Sequence, residues 1–321
     1  MKKISQLLTS LLLLVFCSPI FSQEYPNRPI RFVIGYAPGG VADITARAVA
    51  KKLGEGLGQQ VVVENFPGAG GIVAAETVAK LKPDGYTILL LNYGDAGSAA
   101  YFKNLSYDIR KTFTPVSTLA NFDLAILVRS DSKIKSISNL QQLANASPNR
   151  LNIGTTSIGS GLHLASLLFL KTQNLPITII PYKSTPAITT ALKAGDIDLA
   201  FDIIYPALPH IQAQEFIPIA VTSKNRSYKL PNTPTLEEQG VTNYREFLWN
   251  GIAVHADTPQ VIVNKLNREI QVALASPEIQ AKFLEVGITP KGSTPDEFKK
   301  LISSEVDKWI ALISQMKIER Q

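Results

Sequence analysis

The chain has 321 residues, 45% of them hydrophobic, and its 32 Lys and Arg residues outnumber its 26 Asp and Glu residues to give a net charge of +6. This length is enough to bury a large core and favours two domains over one. The mild positive charge suits small anions, but the sequence contains no basic run or aromatic-interleaved basic patch, so we expect no nucleic-acid partner.

A secretion signal is predicted at the start of the chain. Two lysines precede an apolar run at residues 7–16, and a cut after Ser22 would follow a small residue. The run is shorter than the roughly 20 residues that span a bilayer, so residues 1–22 are expected to be a cleaved signal peptide of an exported, soluble protein. Removing them leaves 299 residues (321 less 22) and, without the two lysines, a net charge of +4. Cys17, the only cysteine, lies inside the signal, so the mature chain is expected to have no disulfide, Cys metal site or Cys nucleophile.

The most informative stretch is residues 30–47. Residues 30–34 form a β-branched and aromatic run typical of a buried strand, Pro38-Gly39-Gly40 breaks it, and apolar residues then recur at helical spacing. The unpaired amides at the start of that helix, beside glycines that lack a Cβ, predict a site for an anionic ligand. A plain structural turn is the alternative, because Asp43 competes for the positive end of the helix dipole and Arg47 can pair with it.

Two more strands complete the first part of the chain. They are predicted at residues 60–64 and 86–91, with a helix at residues 72–82 between them and glycine-rich loops after both strands. Strands that alternate with helices and are apolar on both faces indicate a parallel, doubly wound sheet, in which ligands bind at the carboxyl ends of the strands. The glycine-rich loops after three successive strands, the last at residues 92–98, therefore predict one ligand site.

A second alternating block begins with a predicted strand at residues 124–128. Its further predicted strands are residues 151–153, 177–180, 197–201 and 219–222, and its predicted helices are residues 162–171 and 185–194. Thr185 is expected to be the N-cap of the second helix, with Pro186 at its first position. From residue 251 onward three Ser/Thr-Pro pairs each precede a helical apolar pattern, which predicts mainly helices, and Trp309 is expected to pack one of them onto the core.

Residues that carry catalysis in known motifs are missing. The histidines His163, His210 and His255 have no metal-ligand spacing, and neither a G-x-S-x-G elbow nor a phosphate-binding P-loop occurs. Asp95 and Asp202 are the carboxylates nearest the predicted cleft, with no evident pairing for acid–base work. We therefore predict no catalytic residues, no metal and no cofactor.

Several short motifs occur together and in order along the chain. They are Tyr25-Pro26, Arg28-Pro29-Ile30, Ala37-Pro38-Gly39-Gly40 with Asp43 and Arg47, Glu64-Asn65, Pro67-Gly68-Ala69-Gly70-Gly71, Pro83-Asp84-Gly85-Tyr86-Thr87, His163-Leu164, Pro181-Tyr182-Lys183 and Pro234-Thr235. With this combination the chain resembles the Bug-type extracytoplasmic solute receptors, the binding components of tripartite tricarboxylate transporters. The resemblance covers essentially all of the mature chain.

The resemblance implies an α/β, two-domain type II periplasmic-binding-protein fold. Each domain is expected to be a doubly wound, mainly parallel sheet with flanking helices, and the ligand cleft lies between the domains. We predict that domain one comprises residues 23–123 and 250–321 and that domain two comprises residues 124–249. The two crossings would act as a hinge, so we expect the domains to close as rigid bodies on the ligand.

The resemblance also implies the function and the site. The chain is expected to be a periplasmic monomer that captures a small organic carboxylate for the large and small membrane subunits of a transporter, with backbone amides and ordered waters holding the carboxylate. The predicted ligand-binding residues are Tyr36, Ala37, Pro38, Gly39, Gly40, Val41, Ala42, Asp43, Tyr93, Gly94, Thr155, Thr156, Ser157, Ser160, Gly161, His163, Lys183 and Asp202. A receptor for a signalling partner and a secreted enzyme using Asp95, Asp202 and His163 are the alternatives.

The identity of the ligand stays open at this point, because the chain departs from the family pattern at three places, of which Ser160-Gly161-Leu162 lies at the ligand-facing loop of the second domain. Ser184 stands where a glycine is usual, Trp249-Asn250-Gly251 replaces Trp-Tyr-Gly, and Ser160-Gly161-Leu162 differs from the common Gly-Thr-Pro-Ser. Because no Arg lies in the glycine-rich loops, recognition is expected to rest on amides, with Lys183 adding long-range attraction.

Two expectations follow for single residues. A valine at position 40 is expected to abolish binding, because it would fill the ligand space and disfavour a positive φ. Asp95 is expected to point to solvent, with a plain carboxylate as ligand; the alternative is that Asp95 faces the cleft and meets an ammonium group.

Overall fold

The computed structural model describes residues 25–321. The predicted signal peptide at residues 1–22 and the first two residues of predicted domain one lie outside the described residues. In the part of the chain that is described, no helix is long and apolar enough to cross a membrane.

The strands form two separate sheets. In chain order they are β1 (Ile30–Ile34), β2 (Val61–Asn65), β3 (Thr87–Asn92), β4 (Phe113–Phe122), β5 (Leu124–Arg129), β6 (Asn152–Thr156), β7 (Thr178–Tyr182), β8 (Leu199–Ile203), β9 (Phe216–Val221), β10 (Leu248–His255) and β11 (Ile288–Pro290). The first sheet has the order β11-β4-β10-β3-β1-β2, and the second has the order β7-β6-β8-β5-β9.

Helices flank both sheets. They are α1 (Val41–Leu57), α2 (Ile72–Ala79), α3 (Tyr93–Tyr101), α4 (Ile109–Thr112), α5 (Ile137–Ala146), α6 (Gly161–Thr172), α7 (Thr185–Ala194), α8 (Ile204–Gln212), α9 (Gln260–Ala275), α10 (Pro277–Glu285) and α11 (Pro295–Gln315). The two-sheet α/β architecture expected from the sequence is thereby confirmed.

Both sheets are mixed rather than mainly parallel. In the first sheet β1 is parallel to β2 and β3, but β10 runs antiparallel to both β3 and β4. In the second, β6 is parallel to β7 and β8, while β5 is antiparallel to β8 and β9. The antiparallel strands β4, β5 and β10 lie where the chain passes between the sheets. A single residue, Asp123, separates β4 from β5, and β10 brings the chain back.

The prediction missed β4, β10 and β11 and placed a loop where α3 forms. β4 carries Pro115 and several Ser, Thr and Asn residues, so it lacks the apolar run expected of a central strand. In α3, a capping box offsets the two glycines that weaken the helix. The N-cap of helix α7 is Ser184, one residue before the predicted N-cap Thr185.

The last helix, α11, packs onto the first sheet. Its Phe298 and Trp309 are fully buried, as predicted for Trp309. Phe298 meets Trp249 of β10 edge-to-face at 5.4 Å between ring centroids, and Trp309 meets Tyr93 in the same way at 6.1 Å. Such aromatic pairs contribute about 0.5–1.5 kcal/mol beyond their area burial, so the C-terminal helix holds β10 and the start of α3 in place.

Candidate functional site

A cavity of about 300 Å³ lies between the two sheets. Both halves of the molecule supply its walls, and the residues that line it are Gly35, Tyr36, Ala37, Pro38, Gly39, Gly40, Val41, Ala42, Pro67, Gly68, Gly70, Asn92, Tyr93, Phe122, Thr156, Ser157, Ser160, Gly161, Leu162, Lys183, Ser184, Thr185, Pro186, Ile203, Leu248, Trp249 and Asn250. A broader groove over α1 and β2 is a surface depression with mixed acidic and basic walls, far from the glycine-rich strand ends, so we place the site in the cavity.

The β1–α1 junction, residues 35–43, supplies one wall. Its helix has Gly40 as N-cap, and no side chain caps it, so the first amides of α1 have no side-chain acceptor. Gly40 has φ −78°, and the left-handed backbone lies at Gly39, with φ +82°. The expectation of a positive φ at Gly40 is therefore wrong, and a Cβ built there meets nothing closer than Ala37 O at 3.7 Å.

Asp43 supports this junction from behind and is absent from the cavity wall. Its side chain is 4% exposed and accepts hydrogen bonds from the Gly39 amide, Arg47 Nε and Asn65 Nδ2, each at 3.0 Å. Burial alone would raise the pKa of Asp43, but the hydrogen bonds from Arg47, Gly39 and Asn65 outweigh it and hold the pKa below its usual value. Asp43 is thus placed to fix the loop rather than to contact a ligand.

The β3–α3 junction, residues 92–95, lies beside the first but is closed by its own side chains. Asn92 Oδ1 accepts the Gly94 amide at 2.7 Å, and Asp95 Oδ2 accepts the Asn92 amide at 2.8 Å and Asn92 Nδ2 at 2.7 Å. Asp95 is 2% exposed, and burial raises its pKa to about 7, although its hydrogen bond from Asn92 opposes this. Asp95 therefore neither points to solvent nor lines the cavity, contrary to both sequence-based alternatives, because it completes the capping box of α3.

Gly94 also lies outside the cavity wall, although Tyr93 is part of it. A Cβ on Gly94 would lie 2.7 Å from the Gly161 amide nitrogen of α6, so this glycine permits α3 to approach α6. Tyr93 is held by a 2.6 Å hydrogen bond from its hydroxyl to Glu246, whose carboxylate also binds Lys308 of α11 at 3.1 Å. One wall of the cavity is thus tied to the segment before β10.

Tyr36 links the two junctions of the first sheet. Its hydroxyl lies 2.9 Å from Gly70 O and 3.1 Å from Asn92 Oδ1, and burial strongly raises its pKa. Tyr36 lines the cavity, while its hydroxyl is hydrogen-bonded inside the protein.

The β6–α6 loop, residues 155–163, faces the cavity from the second sheet. Of the residues expected to bind the ligand, Thr156, Ser157, Ser160 and Gly161 line it, and the hydroxyls of Thr156 and Ser160 are 2.7 Å apart. Thr155 is buried away from the cavity, because its hydroxyl donates to Thr156 O at 2.9 Å.

His163 lies behind this loop rather than in the cavity wall. It is 7% exposed, its Nδ1 accepts the Gly159 amide at 3.3 Å, and its ring meets Tyr101 edge-to-face. Burial lowers the pKa of His163 to about 4, so the imidazole is neutral at pH 7. This geometry gives His163 a structural role behind the loop rather than contact with a ligand.

The β7–α7 junction, residues 183–186, completes the second wall. Lys183 lines the cavity, followed by Ser184, Thr185 and Pro186, and no side chain caps the helix that starts here. Asp202 stands behind it, accepting hydrogen bonds from Thr185 Oγ1 at 3.2 Å and the Ile203 amide at 2.8 Å. Burial raises the pKa of Asp202 to about 7, against the effect of those hydrogen bonds, and Asp202 does not line the cavity.

The lining residues that sequence reasoning missed come mostly from strands it did not predict and from residues next to predicted ones. They are Gly35, Pro67, Gly68, Gly70, Asn92, Phe122, Leu162, Ser184, Thr185, Pro186, Ile203, Leu248, Trp249 and Asn250. Leu162, Ser184 and Asn250 carried a usable signal, since each departs from the pattern of the resembling family.

The wall of the cavity carries little charge. Among the described residues that line the cavity, Lys183 is the only one with a charged side chain. Among residues 25–321 no cluster of three His, Cys, Asp or Glu side chains could hold a metal ion. The arrangement offers an incoming group backbone amides, hydroxyls and a lysine, which is an environment that favours an anion.

Comparison with known proteins gives consistent results. The family model described as "Tripartite tricarboxylate transporter family receptor" matches residues 45–318. A protein of the tcbD-tcbE intergenic region of Pseudomonas sp. strain P51 is 32% identical over 92% of this chain and 88% of its own length. The Bordetella pertussis protein BugT is 30% identical over 93% of this chain and 92% of its own length.

Solved structures show the same fold. The periplasmic binding protein BugD has a TM-score of 0.86 at 29% identity, covering 92% of this chain and all of its own. A Rhodopseudomonas palustris protein solved with adipate has a TM-score of 0.87 at 30% identity, over 93% of this chain and 100% of its own. MatC from the same organism, solved with malate, has a TM-score of 0.84 at 27% identity, over 90% of this chain and 100% of its own. The chain belongs to the tripartite tricarboxylate transporter receptor family.

Proposed function

We propose that the chain is a periplasmic receptor that binds a small organic carboxylate in the cavity between its two sheets and delivers it to a tripartite membrane transporter. The observation that carries this proposal is the cavity wall. Helices α1 and α7 reach this wall from opposite sheets, and no side chain caps the N-terminus of either helix. Lys183 is the only charged residue among the described residues that line the cavity.

The physical argument starts from the amides. Helix α1 presents the unpaired N–H groups of its first turn, whereas α7 offers only that of Thr185, because Pro186 has no N–H and the Ala187 amide donates to Ser184 O at 3.1 Å. Both helices direct the positive end of a dipole at the cavity, worth about 0.3–1 kcal/mol for a nearby anion and more where water is excluded. Asp43, Asp95 and Asp202 are all withdrawn behind the loops into hydrogen bonds of their own. The wall therefore attracts a carboxylate without placing a carboxylate of its own against it.

The size of the cavity agrees with a small acid. A volume of 300 Å³ equals the liquid volume of about ten water molecules. The structural relatives solved with malate and adipate have dicarboxylates as ligands, and their likeness to this chain supports the same class of ligand here.

The domain boundaries are part of the proposal. We assign residues 23–123 and 250–321 to one domain and residues 124–249 to the other, supported by the passage from β4 to β5 at Asp123 and by the return through β10, which begins at Leu248. Closure of the two domains would enclose the ligand. Small-angle scattering profiles that are identical with and without saturating ligand would contradict closure.

A receptor that serves a sensor is the second candidate, and the cavity fits it equally well. An enzyme is less well supported, because neither a histidine nor a carboxylate is among the described residues of the cavity wall. Membership of the family supports the periplasmic location and the membrane subunits as partners. The structural relatives of this chain include a periplasmic binding protein.

A thermal-shift screen with mono-, di- and tricarboxylates tests the proposal. A ligand that binds only the folded protein stabilises it by about 2.7 kcal/mol at a hundred times its Kd, so a carboxylate should raise the Tm. Lys183→Gln should weaken binding by about threefold to tenfold, and more at low salt. The matched control is Lys299→Gln, which makes the same charge change on the exposed face of α11 and should leave affinity unaltered. A panel in which no carboxylate raises the Tm would contradict the proposal.

A further inference from the structure

Two asparagines lie opposite each other on neighbouring strands of the first sheet. Asn92 ends β3 and pairs in register with Asn250 of β10, and both residues line the cavity. Directly opposed residues of an antiparallel pair project from the same face of the sheet. The two amides therefore share one environment and can be compared directly.

Both polar atoms of the Asn92 amide have partners inside the protein. Its Oδ1 accepts the Gly94 amide at 2.7 Å and lies 3.1 Å from the Tyr36 hydroxyl, while its Nδ2 donates to Asp95 at 2.7 Å. This asparagine is a structural element of the β3–α3 junction: both of its polar atoms already have partners inside the protein, and only the second N–H of Nδ2 is left over.

The amide of Asn250 is the opposite case. The residue is 2% exposed, and neither its Nδ2 nor its Oδ1 has a hydrogen-bond partner among the described residues. A buried donor and acceptor left unpaired are costly, and protein interiors rarely keep them without a use. The pairing of β10 with β4 also shifts register between Asn250 and Gly251, an irregularity that often re-aims a side chain beside a binding site.

We propose that the amide of Asn250 recognises a hydroxyl group on the ligand, so that this receptor selects hydroxycarboxylates over the same acids without the hydroxyl. The inference rests on the carboxylate-binding function proposed above. An ionised second carboxylate only accepts hydrogen bonds and an ammonium group only donates them, so either would leave one atom of the amide unpaired. A hydroxyl both donates and accepts, which matches the two unpaired atoms of Asn250.

Selectivity of this kind is expected to be large for one functional group. A site built to pair a hydroxyl rejects an analogue that lacks it, because its own buried polar atoms are then left unpaired. We expect the hydroxy acid to bind at least about tenfold more tightly than its partner without the hydroxyl.

Calorimetry on matched pairs of acids tests the inference. The pairs are malate with succinate, lactate with propionate, and glycolate with acetate, and the members of each pair differ by one hydroxyl. In Asn250→Leu, a change of similar volume without polar atoms, we expect the preference to fall to about onefold, with the affinity for the hydroxy acid reduced and that for its partner unchanged or improved. The Tm of the unliganded variant should equal or exceed that of the wild type, since no internal hydrogen bond is lost.

A matched control is available on the next strand. Thr118 is 4% exposed, its hydroxyl is also unpartnered among the described residues, and it pairs with Gly251, yet it does not line the cavity. Thr118→Val should leave the preference for hydroxy acids intact. Loss of the preference in both variants would assign the effect to general disturbance of the sheet and overturn the role of Asn250.

The outcomes separate this inference from the function on which it rests. If the acids bind the wild-type protein but the members of each pair bind equally, the role of Asn250 is overturned and the carboxylate receptor stands. If the hydroxy acid is preferred and Asn250→Leu keeps that preference, the role of Asn250 is likewise overturned. If no carboxylate binds at all, both proposals fail.

Discussion

The β1–α1 and β3–α3 junctions follow neighbouring parallel strands and end at the same edge of the first sheet, yet they present opposite chemistry. At the first junction no side chain caps α1, and its N-terminus stays open to the cavity. At the second, Asn92 and Asp95 form a capping box that satisfies the amides of α3 from within. Both junctions are rich in glycine, so glycine content alone does not create an anion site.

The difference lies in where each carboxylate is placed. Asp43, in the first turn of α1, reaches back to the Gly39 amide and sideways to Arg47 and Asn65, which fixes the loop but leaves the helix amides free. Asp95, at the third position of α3, turns back to Asn92 at the N-cap and seals that helix. Of these two helix N-termini, only that of α1 therefore keeps amides that an anion could use.

The largest effect is expected from an alanine at Gly94 in the sealed junction. The new Cβ would lie 2.7 Å from the Gly161 nitrogen, so α3 and α6 would have to separate. We expect a loss of about 3 kcal/mol in the free energy of unfolding, together with weaker ligand binding. Urea denaturation measures the first and calorimetry the second.

Gly40→Ala is the matched control in the open junction. Gly40 has a negative φ and space for a Cβ, so the change in unfolding free energy should stay within about 0.5 kcal/mol. Equal stability losses in the two variants would show that the junctions do not differ in the way described.

A smaller effect is expected when the brace of the open junction is removed. Asp43→Ala leaves the Gly39 amide without an acceptor and removes one of the two acceptors of Asn65 Nδ2, the other being Tyr36 O at 2.9 Å, which should cost about 2 to 3 kcal/mol at pH 7. Because hydrogen bonds from Arg47, Gly39 and Asn65 hold the pKa of Asp43 below its unfolded value, this contribution is complete above about pH 4. It is lost as the pH falls through the lower folded-state pKa.

The stability gap between wild type and Asp43→Ala should therefore close in strong acid. Denaturation curves at pH 7 and at pH values below about 3 measure it. A gap that does not change with pH would mean that the carboxylate charge plays no part in holding the loop.

The same contrast explains how far the sequence could predict the site. The strand–glycine–helix pattern of residues 30–47 located the open junction. Of the residues expected to bind the ligand, eleven from the β1–α1 loop and the second-sheet loops line the cavity: Tyr36, Ala37, Pro38, Gly39, Gly40, Val41, Ala42, Thr156, Ser157, Ser160 and Gly161. Tyr93 and Lys183 line it as well. Backbone geometry of this kind follows from local sequence.

Side-chain direction was less predictable. Asp43, Thr155, His163 and Asp202 lie next to the cavity without lining it, because each side chain is turned toward a backbone group one to four residues away in the chain. Gly94, which has no side chain, packs against Gly161 instead of lining the cavity. β10 was missed because its Trp-Asn-Gly stretch lacks an apolar run, and with it the prediction missed Asn250 as part of the site. The Asn92-x-x-Asp95 spacing was the one local signal that predicts a capped helix in place of a loop.

The smallest expected effect concerns the pH dependence of the sealed junction. Burial raises the pKa of Asp95 to about 7, well above its unfolded value, so the folded protein binds the proton more tightly than the unfolded chain does. Stability should therefore fall as the pH rises from about 4 to about 7 and then level off. Asp95→Asn keeps an acceptor oxygen for Asn92 and cannot ionise, so the fall should be smaller by about 1 to 2 kcal/mol. Asp202, whose pKa burial also raises to about 7, leaves a residual slope that Asp202→Asn should remove separately. Denaturation curves of the wild type, Asp95→Asn and Asp202→Asn from pH 5 to 8 measure the free energy of unfolding of each. A wild-type stability that rises over this range would contradict a sealed, protonated Asp95.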